Sequence, residues 1–263
     1  MKLQLNINKA FPKKSLGQNF IQSKDFILKL SKLIQSDIDT NIFEIGPGMG
    51  ALTDELVKKN FKNLYLIEKD LVLFQNLKKE FKNDKNILVF NSDAIDYNYE
   101  KINKNQKSLI VGNLPFNISS QLLINWIVNY NWPPFYSKMI LMFQKEVANR
   151  IIARHNQKSY SRISVISQAR CEIKVLLNAP SNIFFPKPKV DGTVLEFIPT
   201  NKYLDINISN LQKILRKSFE HRRKKIKTSL KDYDYLLKRL SIDDGLRAEN
   251  LSVDDYCKLA LAI

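Results

Sequence analysis

Residues 41–50 read NIFEIGPGMG, a short apolar run followed directly by a glycine-rich turn. The run at 41–45 predicts a buried β-strand. The turn holds Gly46, Gly48 and Gly50, which are three of only seven glycines in the chain. Glycine is needed where the backbone takes positive φ values or where a ligand approaches it closely. The stretch therefore predicts a strand that ends at a ligand-binding turn.

Strands and helices alternate on both sides of this turn. A helix with one apolar face, capped by Ser23, is expected through about Gln35, and another over 51–59. Further strands are expected at 63–68, 87–91, 107–112, 138–143, 171–177 and 193–198, with helices at 71–81 and 119–129. This alternation is typical of an α/β protein with a doubly wound, mostly parallel sheet. After Pro199 the pattern is helical throughout, so we place a domain boundary near residue 200, between an α/β domain at 1–200 and a small all-helical domain at 201–263.

Polar or conformationally special residues follow four of the expected strands. The glycine turn follows the first, Glu68 closes the second, Asp93 follows the third, and the tetrapeptide 113–116 follows the fourth. Taken singly, each is more often a tight turn, a helix cap or a surface acid. In a parallel α/β sheet, however, the carboxyl ends of the strands border one crevice where ligands bind. The four together predict a single binding site there.

The glycine spacing indicates which cofactor this site holds. A dinucleotide fold has the spacing G-x-G-x-x-G, whereas this turn has G-x-G-x-G followed by Ala51. S-adenosylmethionine has no pyrophosphate, so its amino-acid end needs backbone contacts rather than a phosphate site. At the second strand end, Glu68 can accept both ribose hydroxyl protons, and Asp93 lies within reach of a purine amino group.

The tetrapeptide Asn113-Leu114-Pro115-Phe116 indicates the reaction. The N6 amine of adenine is a poor nucleophile because its lone pair is delocalised into the ring. It needs two acceptors for its N–H protons, which the Asn113 side-chain oxygen and the Leu114 carbonyl can provide, and Phe116 can stack on the base. Positioning of this kind supplies most of the catalysis without a general base. An ordinary Asn–Pro turn is the alternative.

The charge distribution indicates a second kind of partner. The chain has 42 Lys and Arg against 26 Asp and Glu, a formal net charge of +16. Residues 1–35 and 213–231 together carry +14 of this excess. Two concentrated basic segments predict a polyanion partner, in particular nucleic acid. Solvated helix faces and an anionic membrane are the alternatives, although neither segment has the Trp or Phe anchors of a membrane-binding helix.

If 213–231 forms one helix, Arg216, Arg223 and Lys227 lie on roughly one face, flanked by Arg222 and Lys224. We expect this face to contact phosphates.

Cysteine and hydropathy patterns predict a soluble cytoplasmic protein. Cys171 and Cys257 are far apart and match no zinc or redox spacing, so we expect free, reduced thiols. No apolar run approaches the length of a transmembrane helix, and the N-terminus has no signal-peptide core.

These motifs together resemble the bacterial 16S rRNA adenine N6,N6-dimethyltransferases along nearly the whole chain. The matching segments are KSLGQNF (14–20), FEIGPGMG (43–50), IEKD (67–70), SDA (92–94), GNLPFNIS (112–119), QKEVA (144–148) with Arg150, FPKPKV (185–190), and Phe219 with RRK (222–224). The resemblance implies a Rossmann-like S-adenosylmethionine-dependent methyltransferase domain with a small helical C-terminal domain. Members of that family dimethylate two adjacent adenosines near the 3′ end of small-subunit rRNA and take part in ribosome maturation.

The resemblance also assigns roles to individual residues. Phe116 stands where the family usually has Tyr, which keeps the stacking but loses the hydroxyl. No metal is implied, the partner is the small ribosomal subunit, and we expect a monomer. The implied cofactor contacts are Asn19, Ile21, Gly46, Glu68, Asp93 and Asn113, the catalytic residues are Asn113, Leu114 and Phe116, and the RNA contacts are Arg222, Arg223 and Lys224.

Other functions share part of this pattern. The 23S rRNA adenine N6-methyltransferases and eukaryotic mitochondrial relatives have similar N-terminal motifs, but the runs 145–148 and 185–190 favour the small-subunit enzyme. DNA adenine methyltransferases usually carry a second Pro before the aromatic residue. A non-catalytic, RNA-binding assembly factor and a nicotinamide oxidoreductase are the remaining alternatives, the latter disfavoured by the glycine spacing.

Overall fold

The computed structural model describes residues 12–13, 16–102 and 107–263. Several lysines of the N-terminal basic segment, Lys2, Lys9 and Lys14, lie outside the described residues, as does Ser15 of the first matching motif. The prediction that this segment contacts a polyanion stays a prediction.

A seven-stranded sheet forms the centre of the fold. Its strand order is β4-β3-β2-β5-β6-β9-β7, and the five strands from β4 to β6 are parallel. A second, two-stranded antiparallel sheet pairs β1 with β8. The strands are β1 Phe20–Ile21, β2 Asn41–Ile45, β3 Asn63–Glu68, β4 Ile87–Asn91, β5 Ser108–Asn113, β6 Lys138–Gln144, β7 Cys171–Ala179, β8 Phe184–Phe185 and β9 Gly192–Pro199.

Helices follow most of these strands. The α-helices are α1 Lys24–Leu33, α2 Thr53–Leu56, α3 Leu71–Glu80, α4 Tyr99–Ile102, α5 Ser119–Val128, α6 Lys145–Ile152, α7 Arg162–Arg170, α8 Ile208–Glu220, α9 Ile226–Ser229, α10 Asp234–Arg239 and α11 Val253–Leu261. The Rossmann-like α/β class predicted from the sequence is confirmed, with helices making up most of the chain after β9.

The central strands are apolar on both faces because helices and aromatic side chains cover them. On one face, Ile42, Leu64 and Val111 are completely buried in a cluster that includes residues of α1, α2 and α3. On the other face, Phe43 stacks on Tyr65 with 4.6 Å between ring centroids. Burial on both faces is what a parallel sheet requires, and it explains why these strands are continuous apolar runs.

The helix after the glycine turn is shorter than predicted. The sequence predicts a helix at 51–59, but only Thr53–Leu56 is helical. Gly50 has a φ of +82°, so the helix cannot start before the turn is complete. The Lys62 N–H already donates to the Thr40 carbonyl as the chain enters β3, which leaves room for about one turn of helix.

The basic segment at 213–231 is not one helix, and this prediction is wrong. Helix α8 ends at Glu220, a turn follows in which the Lys224 N–H donates to the His221 carbonyl, and α9 begins at Ile226. The Ile226 N–H donates to the Leu246 carbonyl, so the backbone there is held by a distant segment rather than by the preceding turn. Arg216 and Arg223 therefore do not share a helix face.

The chain divides into two compact units. The first contains the described part of Met1–Leu122 with Phe135–Lys145 and Val175–Glu196, and the second contains Leu123–Pro134, Glu146–Lys174 and Phe197–Ile263. The last cut falls close to the predicted boundary near residue 200, whereas 123–134 and 146–174 group with the C-terminal helices. The assignment of catalysis to 1–200 and of RNA binding to 201–263 stays a prediction.

Candidate active site

One cavity of the first unit lies at the carboxyl ends of β2, β3 and β5, as the sequence predicts for this fold. Every residue that the sequence named as a cofactor or catalytic contact lines it. These residues are Asn19, Ile21, Gly46, Glu68, Asp93, Asn113, Leu114 and Phe116. The structure therefore brings together residues that are separated by almost a hundred positions in the chain.

The floor of the cavity is the glycine turn. Gly46 and Gly48 have φ values of +63° and +62°, in the left-handed region that other residues rarely adopt. A Cβ atom on Gly48 would lie 2.9 Å from the Phe20 ring, so a side chain there would force this buried ring to shift. The two glycines leave backbone rather than side chains facing the cavity.

Glu68 connects the end of β3 to this turn. Its Oε2 accepts a hydrogen bond from the Gly48 N–H at 3.0 Å, and its Oε1 accepts one from the Asp70 N–H at 2.8 Å. The side chain is buried, and burial raises the pKa of Glu68, opposed by these two backbone hydrogen bonds. Each carboxylate oxygen has a second lone pair, so Glu68 can also accept hydrogen bonds from a ligand hydroxyl.

Asp93 is held in place beside Glu68 in the lining. Its Oδ2 pairs with Lys69 Nζ at 2.6 Å, and its Oδ1 accepts from the Ile95 N–H at 3.0 Å. Burial would raise the pKa of Asp93, but Lys69 and the Ile95 N–H outweigh it and hold that pKa below its ordinary value. Asp93 is therefore an ionised acceptor.

Asn113 and Phe116 form the opposite wall. Asn113 Nδ2 donates to the Asn19 carbonyl at 2.8 Å, which orients the side-chain amide. No donor among the described residues pairs with Asn113 Oδ1, so this oxygen can accept a hydrogen bond from a ligand amine. The Phe116 ring is half-buried and meets Phe184 edge-on, with 6.4 Å between centroids.

Two features of the site were not expected from the sequence. The pairing of β1 with β8 places Ile21 opposite Phe184, and neither two-residue strand has a periodic signal of its own. Glu44 also lines the cavity and is completely buried, with its Oε2 accepting from Thr53 Oγ1 at 2.8 Å. Burial raises the pKa of Glu44 to about 8. Its position at the end of β2, two residues before Gly46, was the available signal.

The donor and acceptor set of the cavity fits a nucleoside with a cationic amino-acid end. Glu68 and Asp93 supply acceptors for hydrogen bonds from hydroxyl and amino groups, the glycine turn supplies backbone, and the ionised Asp93 favours a positive ligand charge. Among residues 12–13, 16–102 and 107–263, no group of three or more His, Cys, Asp or Glu side chains could hold a metal ion. S-adenosylmethionine matches this set, since it has a ribose, an adenine and a sulfonium.

A family model described as Ribosomal RNA adenine dimethylase matches residues 10–263. The chain belongs to this family. It is 38% identical over 261 residues to a ribosomal RNA small subunit methyltransferase A of Ehrlichia ruminantium (strain Gardel), covering 96% of this chain and 97% of that protein.

Two solved structures share the fold. A dimethyladenosine transferase from Plasmodium falciparum matches with a TM-score of 0.79 at 24% identity, covering 92% of this chain and 96% of that chain. A 23S rRNA methyltransferase matches with a TM-score of 0.69 at 20% identity, covering 91% and 97%. Both likenesses concern the fold alone.

In this family member, the basic residues 222–224 belong to the second unit and differ in their surroundings. Arg222 is half-buried, with its Nε 2.7 Å from Glu249 Oε2 and an Nη hydrogen bond to the Lys158 carbonyl. Arg223 and Lys224 are exposed, and no described carboxylate lies within ion-pair distance of either. Of these three residues, Arg223 and Lys224 are the ones that present unpaired positive charge to solvent.

The remaining sequence predictions concern the two cysteines and membrane-spanning segments. Cys171 and Cys257 are both buried and unpaired, as expected for free thiols. Within the described residues, no helix is long and apolar enough to cross a membrane.

Proposed function

We propose that this protein transfers methyl groups from S-adenosylmethionine to N6 of two adjacent adenosines near the 3′ end of small-subunit rRNA, giving dimethyladenosine. The observation that carries this proposal is the convergence of Glu68, Asp93 and Asn113 on one cavity in a member of the rRNA adenine dimethylase family. Curated relatives carry the name ribosomal RNA small subunit methyltransferase A, which supports the small subunit as substrate.

Binding of the cofactor depends on the glycine turn and the two acids. Glu68 accepts the ribose hydroxyl protons, Asp93 accepts from the adenine amine, and the backbone at Gly46 contacts the amino-acid end. When bound, S-adenosylmethionine supplies an electrophilic methyl group on a sulfonium. Everything else in the reaction is positioning by the residues of this chain.

Asn113 orients the target amine. Its Nδ2 donates to the Asn19 carbonyl, so its Oδ1 is the atom that accepts a hydrogen bond from one N6–H group. The Leu114 carbonyl accepts one from the other N6–H group, and Phe116 stacks on the base. These two hydrogen bonds would hold N6 in one orientation, and positioning of this kind contributes to catalysis. The new N–C bond forms as the bond from the methyl group to sulfur breaks, and N6 then loses one proton to solvent; neither His155 nor His221 lines the cavity to take that proton.

We assign RNA binding to exposed Lys and Arg side chains of the second unit. An adenine must leave its stack to reach Asn113, so contacts with other parts of the RNA have to offset the cost of unstacking. We assign phosphate contact to Arg223 and Lys224. Arg222 contributes chiefly by holding the turn, because its guanidinium is already paired with Glu249. The protein is proposed to act as a monomer in the cytoplasm, where ribosomal subunits are assembled.

A methyl-transfer assay tests this function. Small and large ribosomal subunits that lack the modification are incubated separately with the protein and labelled S-adenosylmethionine, with Asn113→Ala as the matched inactive control. We expect label in the small subunit with the native protein and in neither subunit with the variant. Label in the large subunit would favour the 23S activity, and RNA binding without label would favour a non-catalytic assembly factor.

A further inference from the structure

Asp70 connects the cavity residue Glu68 to the start of helix α3. Its backbone N–H donates to Glu68 Oε1 at 2.8 Å, and its Oδ1 caps α3 by accepting from the Val72 N–H at 2.9 Å and the Leu73 N–H at 3.4 Å. The side chain is only 3% exposed. The backbone and one oxygen of Asp70 are therefore explained by the local structure.

The second oxygen of Asp70 binds a distant segment. Lys13 Nζ lies 2.8 Å from Asp70 Oδ2, and Gln18 Nε2 donates to the same oxygen at 3.4 Å. The Lys13 N–H in turn donates to Gln18 Oε1 at 2.7 Å. Burial would raise the pKa of Asp70, but Lys13 together with the capped N–H groups outweighs it and lowers that pKa. Asp70 is therefore ionised and available to the Lys13 ammonium.

Residues 16–19, directly before β1, border the cofactor cavity. The Asn19 carbonyl accepts the hydrogen bond that orients Asn113. The far end of this segment is fixed by the β1–β8 ladder and by the Gln22 N–H, which donates to the Ile183 carbonyl at 2.7 Å. On the N-terminal side, Lys13 and Gln18 hold the segment through their contacts with Asp70.

We infer that Lys13 is a positioning residue for cofactor binding, because its ion pair with Asp70 keeps residues 16–19 against the cavity. The inference rests on the proposed function for the identity of the cofactor. A segment held in its binding position only part of the time weakens the apparent affinity by the fraction of molecules that are competent. Loss of the pair thus raises the KM for S-adenosylmethionine and leaves kcat at saturating cofactor nearly unchanged.

Three variants test the pair. Lys13→Met removes the charge and keeps the side-chain length, Lys13→Arg restores the charge, and Asp70→Asn keeps an oxygen for the helix cap while removing the anion. Lys29→Met is the matched control, because Lys29 is exposed on α1 and makes the same change in net charge. Lys13 is half exposed, so the expected effect of Lys13→Met is modest, about twofold to fivefold in KM.

The expected pattern is specific. Lys13→Met and Asp70→Asn each raise the KM, the double variant is no worse than either single one, and Lys13→Arg and Lys29→Met match the native protein. A native KM in Lys13→Met, or additive effects in the double variant, would overturn the inference.

Hydrogen exchange of the protein without cofactor provides a readout that does not depend on activity. Backbone amides at 16–19 should exchange faster in Lys13→Met than in Lys29→Met, while those of β2 and β3 stay equally protected. Unchanged exchange at 16–19 contradicts the positioning role even if the enzyme is active. Faster exchange in a protein that transfers no methyl group supports the positioning of 16–19 and leaves the proposed function as the part that failed.

Discussion

Glu68→Gln is the substitution whose effect follows most closely from the geometry. Both carboxylate oxygens of Glu68 already accept backbone hydrogen bonds, from Gly48 and from Asp70. Glutamine offers one acceptor oxygen and an NH2 group that can only donate. One of the two backbone N–H groups must then face another donor, and the ribose hydroxyls lose a charged acceptor.

Two losses can be estimated from this arrangement. A hydrogen bond to a charged group contributes about 1.5–3 kcal/mol, so the Kd for S-adenosylmethionine should rise about 10-fold to 150-fold. A buried donor without an acceptor costs about 1–3 kcal/mol, so the free energy of unfolding without cofactor should fall by a similar amount. Because burial raises the pKa of Glu68, the difference in affinity should shrink as the pH is lowered and the native carboxylate takes up a proton.

Titration calorimetry measures the affinity, and urea denaturation without cofactor measures the stability. Glu55→Gln is the control, since Glu55 lies in α2 beside the same turn and pairs with the exposed Lys58. Calorimetry is done under conditions in which both variants are fully folded. An unchanged Kd in Glu68→Gln would remove Glu68 from the cofactor site, whatever its effect on stability.

Three further predictions concern the target base, the RNA and the buried acid. Asn113→Ala should abolish methyl transfer in the labelled-subunit assay while sparing subunit binding. Phe116→Ala should weaken base stacking by about 1–3 kcal/mol, whereas Phe116→Tyr should be tolerated. Near-native turnover of Asn113→Ala would refute its role. The double variant Arg223→Ala with Lys224→Ala should weaken subunit binding and leave cofactor affinity unchanged. The slope of log K for subunit binding against log salt concentration should become shallower by somewhat under 2. Native binding across a salt series would show that these residues do not contact phosphates. Burial raises the pKa of Glu44 from 4.5 to about 8. Between these two pH values the folded state keeps a proton that the unfolded chain releases. The free energy of unfolding therefore falls as the pH rises through this interval. Glu44→Gln should remove up to about 1.4 kcal/mol of that loss per pH unit, measured by urea denaturation at pH 5 to 8, and parallel pH profiles would contradict it.

The parts of the fold that sequence predicts best are those set by local pattern. The bounds of β2, β3 and β4 agree with the predicted strands at 41–45, 63–68 and 87–91, since each is an apolar run bounded by turns or polar residues. Parallel topology then places the strand ends together, and this is why the cavity residues could be named in advance. Neither step needs knowledge of a distant contact.

Long-range contacts account for the differences. The basic segment looks helical throughout, yet it breaks after Glu220 because the backbone at Ile226 pairs with Leu246. Likewise, a charge count cannot show that Arg222 is paired with Glu249 while its neighbours are free. The ion pair between Lys13 and Asp70 joins residues that no local rule connects.

The identity of the modified nucleoside tests the central claim most directly. Small subunits lacking the modification are incubated with the protein and labelled S-adenosylmethionine, the RNA is digested to nucleosides, and the products are separated by mass. The proposed function predicts that the label accumulates in N6,N6-dimethyladenosine, with none formed by Asn113→Ala. Label in any other nucleoside, or no label in small-subunit RNA, would contradict it.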